Sequence, residues 1–160
     1  MTFWAALVGG LLGTVVLTTM LRAASELRLT RMDIPFLLGT AFSGDRRRAK
    51  AIGYLLHFLA GLVFALVYWA AFSVLDEASW WLGGLFGLVH AAFAGAALVT
   101  VLLPVVHPLM GSHATSARST PLLEPPGFML VNYGSQTPVV SVAAHVAYGM
   151  IVGTVISLAG

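Results

Sequence analysis

The sequence predicts an all-α membrane protein. Its expected architecture is a bundle of four transmembrane helices in up-down-up-down order, with a short interfacial or re-entrant helix after the first span. Three observations lead there. Hydrophobic residues make up 59% of the 160-residue chain and charged residues 9%, against about 25% charged in an ordinary soluble domain. A water-soluble protein of this length has too large a surface-to-volume ratio to hide so much apolar surface. Four apolar stretches, residues 3–21, 51–75, 80–103 and 138–159, are each long enough to cross a hydrocarbon layer of about 30 Å. The eight basic residues all fall in the two loops between alternate spans, residues 22–50 and 104–137, which makes those loops cytoplasmic.

The first stretch carries its positive charge after the apolar run, at Arg22, whereas a secretory signal peptide carries it before. It reads as an uncleaved helix with its N-terminus outside. Gly9 and Gly13, with Gly10, Thr14 and Thr18, form small-residue stripes that let helix backbones approach closely. In the loop that follows, Asp33-Ile34-Pro35 reads as a helix start, with Asp33 as N-cap and proline in the first turn. The run Ile34 to Phe42 is too short to span. Ser43-Gly44-Asp45 is a turn and cap before the second span.

Arg46, Arg47, Arg48 and Lys50 stand at the front of that span. Positive charge is disfavoured at a helix N-terminus, so these residues are expected to meet anionic lipid headgroups. The second span ends at Asp76-Glu77. A short turn makes the third span its antiparallel neighbour, closed by Pro104, and the fourth runs outward to the C-terminus. Trp4, Trp69, Trp80 and Trp81 all fall near the outer interface, where indoles prefer to sit. The expected setting is the plasma (inner) membrane, as one integral domain with both termini outside. The loop 104–137 is rich in proline and glycine, and its segment Phe128 to Tyr133 is apolar enough to pack back on the helix ends.

Several strings resemble a family of small uncharacterised bacterial multi-pass membrane proteins. They are Met32-Asp33-Ile34-Pro35-Phe36-Leu37-Leu38-Gly39-Thr40, Leu122-Leu123-Glu124-Pro125-Pro126-Gly127-Phe128, Asn132-Tyr133-Gly134 and His145-Val146-Ala147-Tyr148-Gly149. The resemblance implies a four-helix fold and brings no activity with it.

The histidines are the most informative polar residues. His57 lies about 9 Å into the second span and His145 about 10 Å into the fourth, at 1.5 Å per residue. Both spans run outward and are diagonal partners, so the two imidazoles are expected to sit level across the interior. Gly53 and Gly61 flank His57 at four-residue spacing; Ser141 and Gly149 flank His145. Small residues one turn away leave room for a flat macrocycle, as axial ligation of a haem or chlorophyll-type pigment requires. His90, roughly 5 Å further out, is a third candidate ligand or a proton relay. The plainer reading is that these glycines serve helix packing, since Gly83, Gly87 and Gly95 repeat the pattern elsewhere.

Asp33, His107, His113 and Glu124 are ligand types that suit zinc or iron, but their spacing matches no metal motif. A pairing of Glu124 with Arg118 or the basic loop is the simpler expectation. The chain has no cysteine, which excludes disulfides and thiolate chemistry. It shows no phosphate loop, nucleophile set or paired carboxylates, and its net charge of +2 reads as topology, with no nucleic acid implied. The leading expectation is therefore a non-catalytic accessory or structural subunit, homo-oligomeric or joined to other membrane subunits. The alternatives are a haem- or pigment-binding redox protein using His57, His145 and His90, and a small transporter or channel.

Overall fold

The computed structural model describes residues 1–110 and 123–159; His113 and Arg118 lie outside them. Among the described residues there is helix and loop and no strand. Helix α1 spans Phe3–Glu26, α2 Ile34–Thr40, α3 Arg46–Leu75, α4 Trp80–Val106 and α5 Thr137–Leu158. A 3₁₀ segment, Phe128–Tyr133, precedes α5. Four of these, α1, α3, α4 and α5, are long and apolar enough to cross a membrane.

Local chemistry starts the helices where the sequence suggests. The Asp33 carboxylate accepts from the Phe36 N–H at 3.0 Å, with Pro35 in the first turn of α2. Asp45 accepts from the Arg48 N–H at 2.9 Å and starts α3. Such caps satisfy amides that have no partner inside the helix. The helix therefore begins at Arg46, ahead of the expected boundary, and the basic residues form its first turns. Lys50 pairs with Asp33 at 3.7 Å, and the Arg46 guanidinium lies 5.9 Å from the centre of the Phe36 ring. Arg47 and Arg48 are exposed.

Glycines set how the helices meet. A Cβ on Gly83 would strike the carbonyl of Gly149, one on Gly149 the carbonyl of Gly83, and one on Gly87 the carbonyl of His145. The backbones of α4 and α5 therefore touch, running in opposite directions. Gly10 against Ala65 and Gly61 against Thr14 join α1 to α3; Gly9 against Val152 and Gly13 against Tyr148 join α1 to α5. Gly39 and Gly53 do the same for α2 on α3, against the carbonyls of Ala49 and Pro35.

The seam between α3 and α4 is built differently. The two helices are joined by a short turn, as expected, but their backbones stay apart over most of their length. Aromatic side chains fill the space near the turn: Phe72 stacks on Phe86 at 5.0 Å, and Tyr68 meets Phe86 edge-on at 5.5 Å.

Two features depart from the sequence expectation. Pro104 does not close the third span, because α4 continues to Val106. The preceding turns, Ala94–Leu102, are widened to π-helix. In a regular α-helix the proline ring would clash with the carbonyl four residues back, and a wider stretch at that point is a known accommodation. The second is the backbone of Met129 and Leu130, both left-handed at φ 51° and 66°. Such conformations cost about 1–3 kcal/mol each in non-glycine residues and persist only where surroundings enforce them. Here the Met129 N–H donates to the Thr100 hydroxyl at 3.1 Å, and the Leu130 side chain is buried. The apolar stretch does pack back on the helices, as its composition suggests.

The α4–α5 seam yields a direct prediction. Gly149→Ala places a methyl against the Gly83 carbonyl and is expected to cost about 1–3 kcal/mol. Gly44→Ala, where nothing lies within 4 Å of the new carbon, is expected to be neutral within about 0.5 kcal/mol. Reversible unfolding of the two variants in mixed detergent micelles measures the difference.

Candidate functional site

Below the aromatic plug, the gap between α3 and α4 becomes a partly open cavity of about 360 Å³. Its walls are leucine, valine, alanine and phenylalanine, with Leu17 and Leu21 from α1, Leu98 and Leu102 from α4, and Leu130 from the 3₁₀ segment. The polar side chains that reach it come mainly from three different helices. His57 comes from α3, His90 from α4, and Ser141, His145 and Tyr148 from α5.

The structure thus brings His57, His90 and His145 to one cavity. The rings of His90 and His145 meet edge-on at 4.7 Å, and His90 stacks on Phe64 at 3.7 Å. The Tyr68 hydroxyl lies 3.3 Å from His90 Nδ1, and the Tyr148 hydroxyl donates to the Gly61 carbonyl at 2.5 Å. His57 also borders a much smaller recess with Thr18, Arg22, Asp33 and Tyr54.

Hydrogen bonds assign two of the tautomers. His145 Nδ1 sits 2.7 Å from the Ser141 carbonyl, which can only accept, so Nδ1 carries the proton and Nε2 is a bare lone pair. The Thr18 hydroxyl donates to the Thr14 carbonyl at 2.6 Å. Its oxygen can therefore only accept from His57 Nε2, 3.1 Å away. His57 is protonated at Nε2, which leaves Nδ1 bare. Among the described residues no buried side-chain nitrogen or oxygen lacks a partner. The two bare nitrogens make no other hydrogen bond there, so neither is fully sealed in protein; His145 borders the cavity, and His57 borders the cavity and a smaller recess.

The small residues beside these histidines are already occupied. The space over Gly53 is taken by the Pro35 carbonyl, over Gly61 by Thr14, and over Gly149 by Gly83. All three take part in helix packing. Ser141 borders the cavity and holds His145.

Of the loop residues whose types suit a metal, Asp33, His107 and Glu124 do not come together, and His113 lies outside the described residues. His107 is buried, with Nε2 3.1 Å from the Leu37 carbonyl and 3.3 Å from the Thr40 hydroxyl, while Nδ1 accepts from the Leu109 N–H. It ties the end of α4 to α2. Asp33 is engaged with Phe36 and Lys50, and Glu124 pairs with Arg31 of the basic loop at 3.2 Å. Among the described residues no group of three or more histidine or carboxylate side chains could hold a metal ion.

Tyr68, Tyr148 and Thr18 were not singled out from the sequence as site residues. The available signal was a tyrosine three residues after His145 inside an apolar helix, a spacing that puts both on one face.

Part of the cavity wall depends on the loop that carries Leu130. The Arg31 N–H donates to the Tyr133 carbonyl at 2.7 Å, and the Tyr133 hydroxyl donates to the Glu124 carbonyl at 2.9 Å. Burial, with a smaller contribution from the Glu124 carboxylate, pushes the Tyr133 phenol up to about 12, Arg31 opposing. A phenol raised above its unfolded value, about 10, stabilises the fold below that pH. That contribution is lost as pH rises toward about 12. The unfolding midpoint of the wild type is therefore expected to fall more steeply between pH 10 and 12 than that of Tyr133→Phe, as followed by detergent denaturation; equal slopes would contradict the assignment.

Comparison with protein-family models, with curated proteins and with solved structures finds no match for this chain.

Proposed function

We propose that this chain is a multi-pass integral membrane protein that binds a small apolar molecule with a polar head. The observation that carries the reading is the convergence of three imidazoles, from three helices, on one cavity otherwise lined by aliphatic side chains. Ligand sites are mostly apolar concavities of about 300–1,000 Å³ with a few convergent polar groups, often between the helices of a bundle. Ionisable side chains inside a membrane are functional candidates by default.

The proposed setting is an up-down-up-down bundle with the basic loops in the cytoplasm and α2 lying at or dipping into the interface. The opposed directions of neighbouring helices support it. So does the contact of Trp69 with the chain start, where its Nε1–H donates to the Met1 carbonyl at 3.3 Å. Arg46, Arg47, Arg48 and Lys50 then face anionic headgroups.

Two further readings have specific support. Only 17% of the apolar window in α3 and in α4 is buried, against 44% in α1 and 39% in α5. That leaves two broad faces for lipid, for a second copy or for another membrane subunit. The bare nitrogens of His57 and His145, each with its other nitrogen hydrogen-bonded, also suit axial ligands of a haem. The occupied spaces over Gly61 and Gly149 weigh against a flat macrocycle there.

The test is to purify the protein from its native membrane and analyse organic-solvent extracts by mass spectrometry beside the absorption spectrum from about 380 to 600 nm. An apolar molecule in stoichiometric amount, lost in the cavity-filling variant Leu98→Trp, is the expected result. A Soret-like band lost in His57→Ala and His145→Ala would replace this reading with the haem reading. An empty, colourless preparation that also binds none of a panel of lipid-soluble molecules would leave the accessory-subunit reading.

A further inference from the structure

We infer that the ligand's polar head is a hydrogen-bond donor, a hydroxyl group as in a hydroquinone, a phenol or a long-chain alcohol, and that a carbonyl-headed molecule is disfavoured. The inference rests on the proposal that the cavity binds an apolar small molecule, and it adds the chemistry of the head.

The argument follows the hydrogens. At His145 the ring proton is held on Nδ1 by the Ser141 carbonyl, so Nε2 offers a lone pair. At His57 the ring proton is held on Nε2 by Thr18, whose own hydrogen is committed to the Thr14 carbonyl. Its Nδ1 is therefore also a lone pair. The Tyr148 hydroxyl has spent its hydrogen on the Gly61 carbonyl and can only accept. Three polar groups on the cavity wall thus present acceptors, and each does so because a backbone carbonyl, directly or through Thr18, consumes its hydrogen.

Protonation of the rings would reverse this polarity, but no carboxylate lines the cavity, Asp33 in the recess beside His57 is already paired with Lys50, and an unpaired buried charge is costly. A carbonyl head set against these three lone pairs would meet acceptors and leave its own oxygen unpaired there; the remaining ring on the wall, His90, offers a hydrogen at Nε2 only in the tautomer in which Tyr68 donates to its Nδ1. A hydroxyl head would donate its one hydrogen to one of the three lone pairs. Sites built around hydrogen bonds reject analogues that lack the matching group far more strongly than apolar pockets reject a change of shape.

The experiment compares matched pairs by equilibrium dialysis against the protein in lipid nanodiscs under anaerobic conditions. The probes are an alkyl hydroquinone with its quinone, and a long-chain alcohol with its methyl ketone. The hydroxylated member of each pair is expected to bind at least tenfold tighter. The double variant His57→Phe/His145→Phe is expected to shrink that preference to within about twofold, since it removes both ring acceptors, whereas each single variant leaves one of them in place. Unfolding midpoints close to wild type show that the fold is kept. Equal affinity within each pair, or tighter binding of the carbonyl member, overturns the inference while leaving ligand binding intact. Failure of every probe to bind overturns the underlying proposal instead. Nitrogen-15 NMR of histidine-labelled protein tests the premise without any ligand. The expected tautomers are Nε2–H at His57 and Nδ1–H at His145, and the opposite tautomer at either ring removes the basis of the inference.

Discussion

Close backbone contact at glycine is the interaction on which the rest of this structure depends. In a lipid surrounding, apolar side chains gain little by leaving lipid for one another, so dispersion between closely approaching backbones and interhelical hydrogen bonds must hold helices together. Gly83 and Gly87 on α4, Gly149 on α5, and Gly10 and Gly61 between α1 and α3 provide that approach. A carbonyl occupies the place of the missing Cβ at several of these positions. Threonines within the same helices return their hydroxyl hydrogens to carbonyls one turn back, as Thr14 and Thr18 do, so few polar hydrogens are left unspent.

The same constraint explains the cavity. Three interhelical seams are tight because a glycine stands at each contact, against another small residue or, between α1 and α5, against Val152 and Tyr148. The fourth, between α3 and α4, is held wide by Tyr68, Phe72 and Phe86, whose rings pack on one another toward the connecting turn, with Phe64 stacked on His90 below them at the cavity. Away from the turn the aromatic filling stops, α4 widens into π-helical turns, and a void remains. The 3₁₀ segment closes part of its wall, through Thr100 bonded to Met129 and Leu130 lining the cavity. Cavity and histidines are therefore products of one uneven distribution of small and aromatic residues around the helices.

How much of this was legible depended on the range of the interaction. The four apolar helices, the Asp33 and Asp45 caps and the apolar segment that folds back are local features, readable from hydropathy and from residue type at a helix start. That His57, His90 and His145 deserved attention also followed from their position inside apolar runs. The partners were not readable. Gly61 looked like free space beside His57 and is filled by Thr14, a residue 47 positions earlier whose facing helix no periodicity identifies. Pro104 looked like a helix end, yet widened turns carry α4 past it. The tautomer of His57 is set by Thr18 across an interhelical seam, and the left-handed Met129 and Leu130 are imposed by contacts with α4. Each of these is a property of packing between segments distant in the chain.

The central claim is that the α3–α4 seam stays open within the apolar interior while the other seams are sealed. Because the chain has no cysteine, single substitutions give labelling without background. Ala94→Cys and Leu98→Cys line the cavity, whereas Ala6→Cys and Ala65→Cys replace fully buried residues of the tight seams. With a membrane-soluble maleimide and protein in nanodiscs, the account predicts fast alkylation at residues 94 and 98 and slow alkylation at 6 and 65. Equal protection at all four positions would mean that the seam is closed and would contradict the account.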